Sequence, residues 1–358
     1  MSLKTILLIL ICLALTACEF SGGGTPSPSG IEATASLPVD TIQAAPVSPT
    51  PTSPEPTPTS SPGIVLLLKP SEPGFPRADD LEAAASQLAN SAGLNLQVRS
   101  SLNEQDLTSE VRWVIALPPD PGLIQLAAAA PQIQFLGIGI PGIETGDNLR
   151  VIAPQGSQPA ETGFLAGFIA AVVTPEWRVG VISTSNNPAG IAARNGFLNG
   201  VIYFCGLCRQ TYPPYEDYPL YVELPAGSSP AEWQATADTL RDRLVKTVYV
   251  APGAGDQALL TYIAESDINI IGSGQPPEAI RDHWVASIQP DYLQALQQVW
   301  PELVNGTGAA ELPTTIEIDA VNASLFSPGR QMLVNEFLND LQNGYIDTGV
   351  DPVTGEVR

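Results

Sequence analysis

From Gly63 onward, short and largely apolar runs alternate with helical segments, and this rhythm limits the possible folds more than any other feature of the chain. Gly63–Leu68, Arg112–Leu117, Gln134–Ile138, Arg178–Ile182, Thr247–Val250 and Asn269–Gly272 read as strands. Helices are expected over Arg77–Ser91 and over the alanine-rich Leu123–Ala130. A strand that is apolar at every position has no solvent face, so it belongs in a parallel sheet covered on both sides. The fold class is therefore α/β, doubly wound.

Helix starts are marked by local chemistry. Ser229-Pro230-Ala231-Glu232 sets a capping hydroxyl, a proline at the first helical position and a reciprocating glutamate in register. Trp233, Ala237, Leu240 and Leu244 follow as one apolar stripe. Asn187-Pro188 repeats the device ahead of Phe197 and Leu198. Gln158-Pro159-Ala160-Glu161 opens a helix in which Phe164, Leu165, Phe168, Ile169 and Val172 share a face, while Gly163 and Gly167 let it approach a neighbour closely.

Upstream of this region the chain carries an address. Lys4, the apolar run Ile6–Leu13 and Leu15-Thr16-Ala17-Cys18 form a basic start, a short apolar core and a small-residue cleavage site. The cysteine directly after the small residues marks a lipoprotein signal over residues 1–17. Cys18 is expected to carry a diacylglyceryl group, with a further acyl chain such as palmitate on its new amino group. Each buried CH₂ adds about 0.8 kcal/mol, so two or three chains anchor firmly. Residues 18–62 are rich in Pro, Ser, Thr and Gly, have little to bury, and read as a tether. Its reach runs from roughly 35 Å as a coil to about 135 Å fully extended. The expected location is the extracytoplasmic face of a cell membrane.

Loss of residues 1–17 removes one lysine and leaves 14 basic against 37 acidic residues, a formal charge of about −23. Such a surface is a poor partner for nucleic acid, whose phosphates need clustered Lys and Arg. A lone His283, no nucleophile elbow and no metal-ligand cluster argue against an enzyme, a metal site or a cofactor. In an exported chain, Cys205 and Cys208 read first as a disulfide, with free thiols and then a redox dithiol as the alternatives. The pair is expected to pin the aromatic segment Tyr212–Pro219 at a cleft rim.

Glu161–Ala171, Trp177–Ile182 and Arg194–Gly200 together resemble the basic membrane protein family of ABC-transporter substrate-binding lipoproteins, which includes purine nucleoside receptors. The shared features are a glycine-bearing "LAG" helix, an "RVGVI" strand and an "F-x-x-G" helix, in that order. Val248–Asp256, Ile270–Gly274 and Asn339–Ile346 are similar to later segments of the family. The resemblance implies a type 1 periplasmic-binding-protein fold, with two parallel-sheet lobes joined by a hinge. Residues 63–156 plus 289–311 would form the N-terminal lobe, and residues 157–288 plus 312–358, returning through Thr315–Ile318, the C-terminal lobe. A monomer is implied, binding a small polar or aromatic molecule and delivering it to an ABC permease. A sensor or interaction lipoprotein that has lost nucleoside binding is the alternative.

The nucleoside-contacting positions of the family differ here. The loop expected to carry an Asp-rich motif ending in Ser-Phe-Asn reads Lys69–Asp79, the "V-D-S-D" loop is Gly272-Ser273-Gly274-Gln275, and a lysine expected after the next strand is absent from Ser287–Asp291. Open parallel sheets bind ligands at the carboxyl ends of their strands. That rule makes Ser71, Phe75, Asp120 and Asn186 candidate contacts, with Asp256, Ser273, Gln275 and Gln289 from later loops. Gly253 joins them, with turn geometry as its other role.

Overall fold

The computed structural model describes residues 63–69, 75, 77–154 and 158–358. The signal, Cys18, the tether and Ser71 lie outside the described residues. Two six-stranded sheets organise the rest. The first contains β1 (Ile64–Leu68), β2 (Asn95–Arg99), β3 (Val111–Ala116), β4 (Gln134–Ile138), β5 (Leu149–Ile152) and β11 (Glu311–Leu312). Its strand order is β11-β5-β4-β3-β1-β2, and every neighbouring pair is parallel. The second contains β6 (Val179–Thr184), β7 (Leu220–Leu224), β8 (Thr247–Val250), β9 (Asn269–Gly272), β10 (Trp284–Pro290) and β12 (Ile316–Asp319). Its order is β12-β10-β9-β8-β6-β7. Here the all-parallel expectation needs one correction, because β12 runs antiparallel to β10 at the sheet edge.

Eight α-helices cover these sheets among the described residues: α1 (Ala78–Ser91), α2 (Leu123–Ala129), α3 (Pro159–Val173), α4 (Pro188–Cys205), α5 (Pro230–Asp242), α6 (Gln257–Glu265), α7 (Tyr292–Val304) and α8 (Pro328–Gln342). None is long and apolar enough to cross a membrane. Helix α7 packs its Leu296 and Trp300 with Val65 and Leu67 of β1, so it belongs to the first lobe although it follows β10 in sequence. The chain thus passes between lobes after β5, after β10 and between β11 and β12. Gln289 and Pro290, expected in the first lobe, lie on β10 of the second sheet, and Leu312 pairs in the first sheet.

The caps form where their residues stand. The Glu232 carboxylate accepts from the Ser229 N–H at 2.7 Å, and Gly190 N donates to the Asn187 side chain at 2.7 Å. Gln158 does not cap α3; its amide donates to the Thr314 carbonyl at 3.2 Å, across to the returning strand connection. The stripe on α5 stops at Leu240. Leu244 takes a left-handed backbone (φ 58°) that ends the helical period, so it is exposed and Val245 is buried in its place.

Helix α3 is not apolar on one face alone. Nearly every residue from Ala160 to Ala171 is buried, because the second sheet covers one side while α4 and α8 close the other. Its crossing with α4 depends on four glycines. A Cβ on Gly163 or Gly167 would press on the backbone of Ala193 or Phe197, and one on Gly196 or Gly200 would press back on Ala160 or Phe164.

Cys205 and Cys208 are joined by a disulfide at the C-terminal end of α4. The following loop is not at the cleft. Its Tyr212 and Pro213 carbonyls accept from Arg178, beside the start of β6, whereas Pro188 at the other end of α4 lines the cleft. Eighteen helical residues place the two ends roughly 25 Å apart.

Candidate functional site

In both sheets the strand order reverses beside the first strand of the lobe, at β1/β3 and at β6/β8. Loops leaving those strands diverge there and open a crevice. The two crevices face one another across a cavity of about 600 Å³. The first lobe contributes Phe75, Pro118, Gly139, Pro141 and Tyr292. The second contributes Thr162, Asn187, Pro252, Ser273 and Gln289 among others, and Pro352 reaches in from the C-terminal segment.

The aromatic wall is built by three elements. Phe75 follows β1, and its ring stacks on Tyr292 at 4.8 Å between centroids and 27° between planes. Tyr292 occupies the first turn of α7, which Asp291 caps by accepting from Gln294 N at 2.9 Å. Gly139, at the end of β4, has φ 65° and lies so close that a Cβ would sit 2.8 Å from the Tyr292 hydroxyl and 3.0 Å from the Phe75 ring. A glycine is required there by both backbone and space. Burial pushes the Tyr292 phenol up to about 12, so it stays protonated and able to donate at neutral pH.

Gln289 is held from both ends. Its side-chain oxygen accepts from Gly274 N at 3.2 Å, and its amide donates to Glu317 at 2.9 Å. Glu317 in turn accepts twice from Arg77, at 2.9 Å each. Arg77 stands at the start of α1 in the first lobe and Glu317 on β12 in the second, so the ion pair bridges the lobes beneath the cavity. The carboxylates of Asp80 and then Glu317 hold the guanidinium above its ordinary pKa.

Of the residues singled out from sequence, the structure brings Phe75, Ser273 and Gln289 together in this cavity. Others stand at strand ends but serve the local fold. Asp120 accepts from Gly122 N and Leu123 N at 2.9 Å and starts α2; Asp256 accepts from Leu259 N at 3.0 Å and caps α6. Asn186 accepts from Ala226 N at 2.9 Å, and Gly253 turns the chain at φ 81°. Gln275 reaches away to Asp319 at 3.1 Å, in a separate depression. None of these five lines the cavity. Sequence reasoning missed Tyr292, Asn187 as a wall residue, and the prolines. The rule that found Gln289 at the end of β10 would have reached Tyr292 had it been carried three residues further.

No family model matches the chain, and no curated protein matches it in sequence. Solved structures do. An ABC transporter system solute-binding protein from Aeropyrum pernix K1 is 14% identical with a TM-score of 0.55, covering 80% of this chain and 92% of that one. A transcriptional activator of the comK gene from Bacillus halodurans is also 14% identical with a TM-score of 0.55, covering 81% and 99%. The fold is thus the two-lobed, periplasmic-binding-protein-like α/β architecture. At such identity the likeness speaks for the fold alone.

Proposed function

We propose that this chain is a lipid-anchored, extracytoplasmic solute-binding protein of an ABC importer, of the basic membrane protein kind, working as a monomer beside its permease. The observation that carries this reading is the open cavity of about 600 Å³ at the facing switch points of two hinged lobes. That is the size and position expected of a small-ligand site. The name of the solved protein from Aeropyrum pernix and the Glu161–Gly200 resemblance support it. The other solved protein is a transcriptional activator, in line with a sensor or interaction lipoprotein as the second reading. A cavity left open rather than filled by side chains favours the solute-binding one.

Thermal unfolding with panels of nucleosides, bases, sugars and amino acids tests the proposal. A solute at 100 times its Kd should add about 2.7 kcal/mol of apparent stability, a shift of several degrees. Silence from every panel would overturn solute binding and leave the sensor reading. Anchoring is tested separately: Cys18→Ser should move the protein from the membrane fraction to the soluble one, and retention in the membrane would count against the lipid anchor.

A further inference from the structure

We propose that the cleft selects an uncharged, flat, ring-bearing solute with few polar atoms, and rejects charged solutes and polyols; this rests on the solute-binding reading above. The first ground is the wall itself. Seven of its sixteen described residues are prolines, drawn from strand ends (Pro118, Pro141, Pro252, Pro290), helix starts (Pro159, Pro188) and the C-terminal segment (Pro352). Proline contributes a rigid apolar ring and a carbonyl but no N–H, so these loops supply few of the backbone donors that would bind carboxylates, phosphates or sugar oxygens.

The second ground is how the amide side chains are used. Asn187 accepts from Gly190 N at 2.7 Å and donates to the Thr184 hydroxyl at 2.8 Å. Gln289 is engaged at both ends by Gly274 and Glu317. With these bonds made, each amide has at most one N–H left over, where a polyol needs several paired donors and acceptors. Among the described residues, no Asp, Glu, Lys or Arg lines the cavity. A charged solute closed in by such a wall would lose its hydration without meeting a side-chain counter-ion.

The third ground is the stacked Phe75–Tyr292 pair, for which the missing Cβ of Gly139 leaves room. It presents an aromatic surface to the cavity, with a protonated phenol as a hydrogen-bond donor. A flat ring can bury its faces on this surface and the proline rings, while the Tyr292 and Ser273 hydroxyls address its edge.

Calorimetric titration with matched compounds tests the selection: nicotinamide against nicotinate, indole against indole-3-acetate, adenine against adenosine and adenosine monophosphate, with arabinose, allose and glutamate as probes that have no flat ring. At least one flat neutral ring should bind, its charged partner at least 30-fold more weakly, and the probes without a flat ring not at all. Tyr292→Ala should weaken the neutral ring at least tenfold. Tyr292→Phe, which keeps the packing, should fold normally and lose a smaller factor of about three to ten, the scale of one hydrogen bond. A sugar or a charged compound binding as tightly as any neutral ring would overturn the selection while leaving solute binding intact. Unchanged affinity in a folded Tyr292→Ala variant would overturn the aromatic wall. Silence from every compound would overturn the solute-binding reading itself, and the selection with it.

Discussion

Gly200→Leu should leave the chain unable to reach its native state, and Gly200→Ala should lower its unfolding free energy by about 1–3 kcal/mol. The reason is the α3–α4 crossing. A Cβ on Gly200 would lie 2.8 Å from the Phe164 carbonyl carbon and 3.0 Å from its Cα, so backbone, not a flexible side chain, would have to yield. Gly167 meets Phe197 in the same way from the other helix. Alanine is the better helix former by up to about 1 kcal/mol, so any loss on Gly→Ala is the crossing's strain overcoming that preference. Gly329 supplies the control. It lies in the first turn of α8 with nothing within 4 Å of its would-be Cβ, and Gly329→Ala should be neutral or slightly stabilising. Urea unfolding of the three alanine variants of Gly167, Gly200 and Gly329 checks this. Equal behaviour at Gly200 and Gly329 would remove close helix approach as the reason for the glycines.

The crossing matters to the site because both helices begin at the cavity. Pro159 and Pro188, the first residues of α3 and α4, are wall residues, and Asn187 caps α4 from the same rim. Separating the helices to admit a side chain would shift two sections of the wall against β6 and β8. Loss of stability and loss of ligand binding should therefore appear together in the Gly200→Ala variant.

What could be read from the residues divides along physical lines. Interior strands such as β1, β4, β8 and β9 have both faces covered, which favours apolar residues over most positions and makes them legible within a residue or so. Interior β5 and β10 carry Arg150, Ser287 and Gln289 and did not stand out. Edge strands are half-solvated and lack that mark: β2 reads Asn-Leu-Gln-Val-Arg and β7 Leu-Tyr-Val-Glu-Leu, and neither stood out. The all-apolar α3 was legible as a helix but not as one buried on every side, since one apolar face and a surrounding core look alike until neighbours are placed. At the site, Phe75, Ser273 and Gln289 followed from the strand-end rule. That rule names loops rather than directions, so it drew in Asp120 and Asp256 equally, whose short carboxylates reach the nearest helix start instead. The prolines of the wall were visible as turn formers. Their common destination depends on bringing together seven loops and helix ends distant in sequence.

The ion pair beneath the cavity should show the opposite signature to the glycines, with single replacements costing more than the double one. Arg77 and Glu317 belong to different lobes, are each only about one-fifth exposed at the side chain, and make two 2.9 Å hydrogen bonds. Arg77→Met leaves a partly buried carboxylate facing Gln289 with no cation. Glu317→Leu leaves the guanidinium with Asp80 alone, at 2.8 Å, and strips Gln289 of its acceptor. Each should destabilise by roughly 1–3 kcal/mol, because removing one partner strands the other. The double variant should recover part of that loss, since an apolar pair strands nothing. A double-mutant cycle in urea measures the coupling, and simple additivity of the two losses would mean that the pair contributes nothing as a pair. The same bonds connect lobe position to the wall: Arg77 holds Glu317, Glu317 holds Gln289, and Gln289 lines the cavity and holds Gly274 beside Ser273. If the lobes part, this connection breaks at Arg77–Glu317, and the loop at the end of β9 loses a restraint. Arg77→Met should therefore raise the rate of solute release more than it slows capture, read by stopped-flow fluorescence. An unchanged release rate in a folded variant would show that the pair fixes the lobes without reaching the site.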